Sequence, residues 1–180
     1  ARPIIHMLPL EQECAKKTWQ GVYSECVVKS AKRNKILTTC ARLAEKPALL
    51  FVKEIKHGHE LQKRLTKAGV SNDFVWGDKQ TAQRDAAVSR LVKGDIDVLI
   101  VSVIFQEGTD IPSLRSVIIG SAGKSAIAAV QRIGRGMRMH EDKKEFHVYD
   151  IADGGHRTLK KWSKERRRAY EAEGYEVLDA

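Results

Sequence analysis

Asp97-Val98-Leu99-Ile100-Val101, running straight into Ser102-Val103-Ile104-Phe105-Gln106-Glu107-Gly108-Thr109-Asp110-Ile111-Pro112, is the stretch that decides the fold. Successive side chains of a strand point to opposite faces, and from Val98 to Val101 both faces are apolar. That is the pattern of a central strand in a parallel sheet covered by helices on both sides. A long turn-like segment follows it. In open parallel sheets ligands bind at loops beyond the carboxyl ends of the strands, so this stretch predicts both an architecture and the edge that carries the site.

Outward from it, short apolar runs alternate with helical patterns. Residues 48–52, 72–76, 116–119 and 145–151 read as strands; 55–68, 81–93 and a segment from Ser125 read as helices. The alternation predicts an α/β domain with a mainly parallel central sheet flanked by helices. In the 81–93 helix Ala87, Val88, Leu91 and Val92 form an apolar stripe expected to face the sheet, and Gly94 is placed to end it. Three segments are expected: an opening strand and helices over 1–46, the alternating core over 47–156, and a basic helix with a short strand over 157–180.

Bulk composition narrows the classes. With 180 residues, 42% hydrophobic and 31% charged, the chain has the makings of one globular domain and not of a disordered tail. Its longest apolar run, Val98 to Phe105, is too short to cross a bilayer about 30 Å thick, and the N-terminus lacks a signal-peptide pattern. The expectation is a protein inside the cell, cytoplasmic, without membrane contact. Lys and Arg outnumber Asp and Glu by 32 to 23, a formal charge of +9 that favours a polyanionic partner. Cys14, Cys26 and Cys40 are odd in number and too far apart for Cys-x-x-Cys chemistry, so they read as reduced thiols without a disulfide framework.

Two segments carry candidate chemistry. In Gln131-Arg132-Ile133-Gly134-Arg135-Gly136-Met137-Arg138, helical spacing puts Gln131, Arg135 and Arg138 on one face. Ile127, Val130, Gly134 and Met137 fall on an inward one. Two planar guanidiniums at fixed separation suit a phosphate chain whose charge shifts during transfer; a solvated basic helix end accounts for the same residues. In Ser102 to Pro112, Gly108 lets backbone approach a ligand, Asp110 can accept from ribose hydroxyls, and Ser102 can donate to a phosphate; an ordinary turn explains these too.

Taken together, the two segments resemble motifs V and VI of the C-terminal RecA-like domain, the second motor lobe, of superfamily 2 DNA helicases and translocases, with the phage recombination and repair type among them. Ser102 stands where that family has Thr. Leu49-Leu50-Phe51-Val52 with Lys53 resembles motif IV, and Gly77, Asp78 and Arg84 resemble the adjoining Gly-Asp and helical Arg, with Thr81 where the family often has Gln. The resemblance covers about Pro47 to Ile151 and implies a three-layer RecA-like fold. It implies that Arg135 and Arg138 meet the ATP γ-phosphate, Arg138 as the arginine finger, with Gln131 positioning nucleotide. Gly108, Asp110 and Glu107 then form the nucleotide side, Ser102, Lys53, Gly77 and Arg84 contact the nucleic-acid backbone, and Arg132 bridges to the other lobe. Gln rather than His at position 131 tilts the resemblance toward DNA repair or recombination enzymes, with RNA the alternative.

The resemblance implies ATP and Mg²⁺, the metal held mainly by an N-terminal RecA-like lobe that this sequence does not contain. Gly123-Lys124-Ser125 imitates the end of a phosphate-binding loop, but the loop needs glycine where Ile118 stands, and a helix start capped by Ser125 is the plainer expectation. No metal site is expected; His57-Gly58-His59 lacks partners at ligand spacing and reads as a loop or helix start near nucleic acid. Lys160, Lys161, Lys164, Arg166, Arg167 and Arg168, interleaved with Leu159, Trp162 and Ala169, read either as a phosphate-contacting cluster or as the solvated face of a docked helix. The rival functions are a non-catalytic nucleic-acid-binding or protein-docking module, and a small NTPase using Lys124.

Overall fold

In the computed structural model, residues 3–77, 81–102, 111, 113–138 and 145–180 are described, the last four of α5 (below) by backbone only. The chain order is β1 (Pro3–Leu10), α1 (Trp19–Tyr23), a π-helical turn (Ser24–Val28), α2 (Ala31–Leu43), β2 (Ala48–Phe51), α3 (Ile55–Lys67), β3 (Asn72–Val75) and α4 (Thr81–Lys93). It continues with β4 (Val98–Val101), β5 (Ser116–Ile119), α5 (Ser125–Arg138), β6 (Phe146–Asp153), α6 (Arg157–Ala172) and β7 (Glu176–Asp179). The seven strands form one sheet in the order β3-β4-β2-β5-β6-β1-β7, and every adjacent pair is parallel. Parallel neighbours need long crossovers, and the helices supply them.

All four residues of β4 are buried, as both-faced apolarity demands. One face of the sheet packs Leu49, Phe51, Leu99 and Val101 against Ala87 and Leu91 of α4, Ala126, Ala129 and Val130 of α5, and Tyr170 of α6. The other packs Leu50, Val98, Ile100 and Ile118 against Leu37 and Ala41 of α2 and Leu61 and Leu65 of α3. The result is three layers. Each of these large apolar side chains contributes about 1.5–3 kcal/mol of burial. The opening and closing segments enter the same sheet: β1 lies between β6 and β7. Among the described residues no helix is long and apolar enough to cross a membrane.

Several expectations need correction. Val92 is exposed, at 50%, while Ala87 and Leu91 are buried; with 100° of turn per residue, Val92 is rotated off the line that the other two share. Gly94 does end α4, with φ at 82°. Cys14 and Cys26 are joined in a disulfide, Cα to Cα 6.0 Å, and Cys40 alone is free. No spacing rule reveals that pair, because a reversal of the chain after β1 is what sets Cys14 against the π-helical turn. Ser125 does not cap α5: its hydroxyl is buried and without a hydrogen-bond partner among the described residues.

His57 is not a solvent-facing helix-start residue. It is fully buried, and its Nε2 lies 2.7 Å from Asn34 Oδ1. Asn34 spends its amide hydrogen on Val28 O, so its oxygen is the acceptor and His57 carries its proton on Nε2. Next to it, a Cβ on Gly58 would fall 2.1 Å from Phe74 Cζ, so glycine here lets α3 lie close on β3. Burial, with Arg33 and Arg64 nearby, lowers the His57 pKa to about 3. The unfolded chain therefore binds one more proton than the folded one between that value and about 6.5, so this group's stability is present above about 6.5 and lost progressively on acidification. Urea denaturation from pH 7.5 to 4.5 is expected to show that loss, and His57→Gln is expected to flatten the slope by up to one proton.

Candidate nucleic-acid and nucleotide interface

The hydrogen-bond ladder continues just past the strand ends. Val52 N donates to Val101 O at 2.9 Å, Ser102 N to Val75 O at 3.3 Å and Gly120 N to Phe51 O at 2.7 Å. Lys53 after β2, Ser102 after β4 and Gly77 after β3 therefore sit at the carboxyl edge of three adjacent strands, which at about 4.8 Å per strand places them in a row of about 10 Å. Lys53 and Gly77 are exposed and Ser102 half-exposed. The Lys53 ammonium lies 5.1 Å from the Tyr23 ring centroid, a cation–π contact that holds it at this edge.

Arg84 lies in the first turn of α4, half-buried, and its Nε is buried without a hydrogen-bond partner among the described residues. Gly108, Asp110 and Glu107 lie outside the described residues, as does Asp78. Gln131 is half-exposed and Arg132 exposed on α5. The backbones of Arg135 and Arg138 continue that helix, and their side chains lie outside the described residues. The inward line of α5 is Ala126, Ala129 and Val130 with Ile133 packed partly against the core, and Gly134 is buried. Ile127, expected inward, is half-exposed. Two alanines let the helix close on the sheet, which rotates Ile127 to the flank. Gly134 has a packing role: a Cβ there would meet Tyr175 Oη at 2.2 Å and Pro3 Cγ at 3.7 Å.

The segment Gly120 to Ala122, which leads into α5, is held from behind by two buried arginines. Arg33 of α2 pairs with Asp153 and reaches Gly120 O and Ser121 O at 3.5 and 3.4 Å. Arg166 of α6 donates to Asp150 Oδ2 at 2.8 Å, Ala122 O at 2.6 Å and Ile151 O at 3.0 Å. Tyr170 donates to the same Asp150 oxygen at 2.8 Å. Both ion pairs are fully shielded from solvent. Burial pushes the Asp153 carboxyl up, opposed by Arg33 and Arg166.

This network corrects the C-terminal basic cluster. Arg166 faces the core, and Arg167 is paired with Glu171 and Asp179. Lys160, Lys161, Lys164 and Arg168 remain exposed, and Lys161 lies 5.1 Å from the Trp162 ring. The sequence did hold a signal: Leu159, Ser163, Arg166 and Tyr170 recur at i, i+4, i+7 and i+11, and all four are buried. Arg33, which the sequence did not single out, has a similar signature, one turn before the buried Leu37.

Gly123-Lys124 is not a phosphate loop. Ile118, where the loop needs glycine, is buried inside β5, and Lys124 Nζ lies 4.6 Å from the Trp162 ring. The seven-stranded parallel sheet with helices on both faces and its loops gathered at one edge has the architecture of a RecA-like lobe. The chain belongs to the helicase conserved C-terminal domain family, whose model matches residues 31–140. It is 33% identical over 106 residues to the putative ATP-dependent helicase IRC3 of Saccharomyces cerevisiae, covering 59% of this chain and 15% of that protein. It is 31% identical over 91 residues to the ATP-dependent RNA helicase SrmB of Escherichia coli, covering 51% of this chain and 20% of that protein. The fold matches phage T4 UvsW with a TM-score of 0.78 at 22% identity, over 98% of this chain and 40% of that one. The chain thus spans a minor part of these relatives.

Breaking a buried ion pair leaves an uncompensated charge and costs about 3–5 kcal/mol. Arg166→Ala is expected to lower unfolding stability by that amount in urea titration, whereas Lys164→Ala, on the exposed side of the same helix, is expected to change it by less than about 0.5 kcal/mol.

Proposed function

We propose that this lobe is the second half of an ATP-driven nucleic-acid motor, closing an ATP site from the side opposite the phosphate loop and holding nucleic acid along its carboxyl edge. The observation that carries the proposal is the convergence of Lys53, Gly77 and Ser102 on three adjacent strand ends, together with membership of the helicase family. A lysine, an open glycine backbone and a hydroxyl in one row suit successive backbone phosphates. Arg84 adds a donor beside them.

On the nucleotide side, Arg135 and Arg138 on the last turns of α5 are proposed to meet the γ-phosphate, Arg138 as the finger, with Gln131 one turn earlier. Gly108, Asp110 and Glu107 are proposed for the phosphate and ribose side, and Arg132 for contact with the other lobe. The chain offers no phosphate-cradling loop, so the residues present fit ATP from the finger side only. The β-phosphate and Mg²⁺ are assigned to an N-terminal RecA-like lobe, and this chain alone is expected not to turn ATP over. The proposed track is DNA, in repair or recombination within the cell, on the Gln at position 131; RNA is the alternative, and SrmB is named as an RNA helicase.

In the full-length protein Arg138→Ala is expected to reduce kcat for ATP hydrolysis by about 10³ with little change in nucleotide binding; unchanged turnover rejects the finger assignment. Lys53→Ala is expected to weaken binding of single-stranded DNA and RNA alike and to reduce the slope of log K against log salt by about 1. Parallel titration of single-stranded DNA, branched DNA and RNA, read by ATPase stimulation, tests the choice of track.

A further inference from the structure

On the amino-terminal edge of the sheet, away from the row formed by Lys53, Gly77 and Ser102, three ligating side chains come together. Glu45 comes from the connection between α2 and β2, Glu145 from the residue before β6, and His147 from the second residue of β6. One ligand atom from each lies within 4.8 Å of the other two. His147 Nε2 is 3.1 Å from Glu145 Oε2. The carboxylates are exposed and the imidazole is mostly shielded, with 14% of its side chain accessible. Two exposed carboxylates are therefore arrayed against one shielded ring.

That ring is fixed from behind. His6 of β1, the strand beside β6, places Nε2 2.9 Å from His147 Nδ1, and its own ring stacks on Tyr149 with centroids 4.8 Å apart. A metal-bound imidazole characteristically donates its other N–H to an acceptor that fixes its tautomer. If His147 Nδ1–H donates to His6 Nε2, the Nε2 lone pair of His147 is directed at the carboxylates. In the other tautomer the Nε2 proton closes the 3.1 Å contact with Glu145 as an ordinary hydrogen bond; in this one the Nε2 lone pair is open to a cation.

We propose that Glu45, Glu145 and His147 form a site for a divalent zinc ion, with His6 as the positioning residue that orients His147 and water in the fourth position. One imidazole nitrogen and two carboxylate oxygens suit a borderline cation that accepts tetrahedral N/O coordination at about 2.0–2.2 Å. Magnesium, which prefers all-oxygen octahedral sites, fits poorly. Small side-chain rotations of the exposed glutamates close the remaining distance. The site ties the α2–β2 connection to the start of β6, and it is independent of the motor function proposed above.

The test is calorimetric titration of ZnCl₂ into the chelator-stripped chain at pH 7.5, with MgCl₂ as the control. One equivalent of zinc is expected to bind, with no magnesium heat, and His147→Gln and the double variant Glu45→Gln/Glu145→Gln are each expected to weaken it at least 10-fold. His6→Ala is expected to weaken it by about 10-fold while leaving the stoichiometry at one. Thermal unfolding of each variant in chelator, matching that of the parent chain, separates lost ligation from lost folding; a variant that is destabilised is replaced by Glu145→Gln alone. The proposal is overturned if no zinc binds below about 100 μM, or if binding survives in His147→Gln, which would place the ion at His59, His156 or Cys40 instead.

Discussion

The buried charge network of Arg33, Asp153, Arg166 and Asp150 is the constraint on which the rest of the structure depends. Four ionisable groups removed from water are tolerable only if each is paired and hydrogen-bonded, so the elements that carry them have little freedom to move apart. Those elements are α2, the end of β6 and α6, drawn from the opening, late and closing parts of the chain. Further donors of the arginines go to the carbonyls of Gly120, Ser121 and Ala122, while Arg33 Nε is without a partner among the described residues. The helix that carries Gln131, Arg135 and Arg138 therefore starts from a segment held by fixed charges. Arginine suits the task, because its planar fork reaches a carboxylate and a carbonyl at once.

The same arrangement separates the two edges of the sheet. At the carboxyl edge, glycine and short polar residues leave backbone and side chains open, with Lys53 held over Tyr23. At the amino edge, the half-exposed residues of β1 and β6 bring the rings of His6, His147 and Tyr149 together. Helix α2 packs in the cluster that holds Ile118 and Ile151, with Tyr149 at its margin. What happens at one edge need not disturb the other, because a close-packed sheet of seven strands lies between them.

Much of the fold was legible because it rests on local periodicity. The both-faced apolarity of Val98 to Val101 announced a buried parallel strand, and the alternation from Pro47 announced the crossovers. Expectations failed where a side chain's fate depends on a partner far away in sequence. Arg166 looked like one charge in a basic run, yet Asp150 lies across the packed face of α6. His57 looked available, yet Asn34 and the close approach of α3 to β3 bury it. Cys14 and Cys26 looked unrelated because only a chain reversal brings them together.

For the candidate site the division is similar. Spacing alone put Gln131, Arg135 and Arg138 on one helical face and Lys53, Gly77 and Ser102 after strands, because helix and strand periods are properties of the local chain. The order of the strands is not local: it is fixed by which apolar faces can be covered together. Only that order made β2, β4 and β3 neighbours and so turned three residues scattered over fifty positions into one row. The amino-acid sequence by itself determined the elements, the chemistry available on each and the family. The tertiary structure decided which charges face solvent and which are spent inside, since burial and pairing are set by contacts that no window along the chain contains.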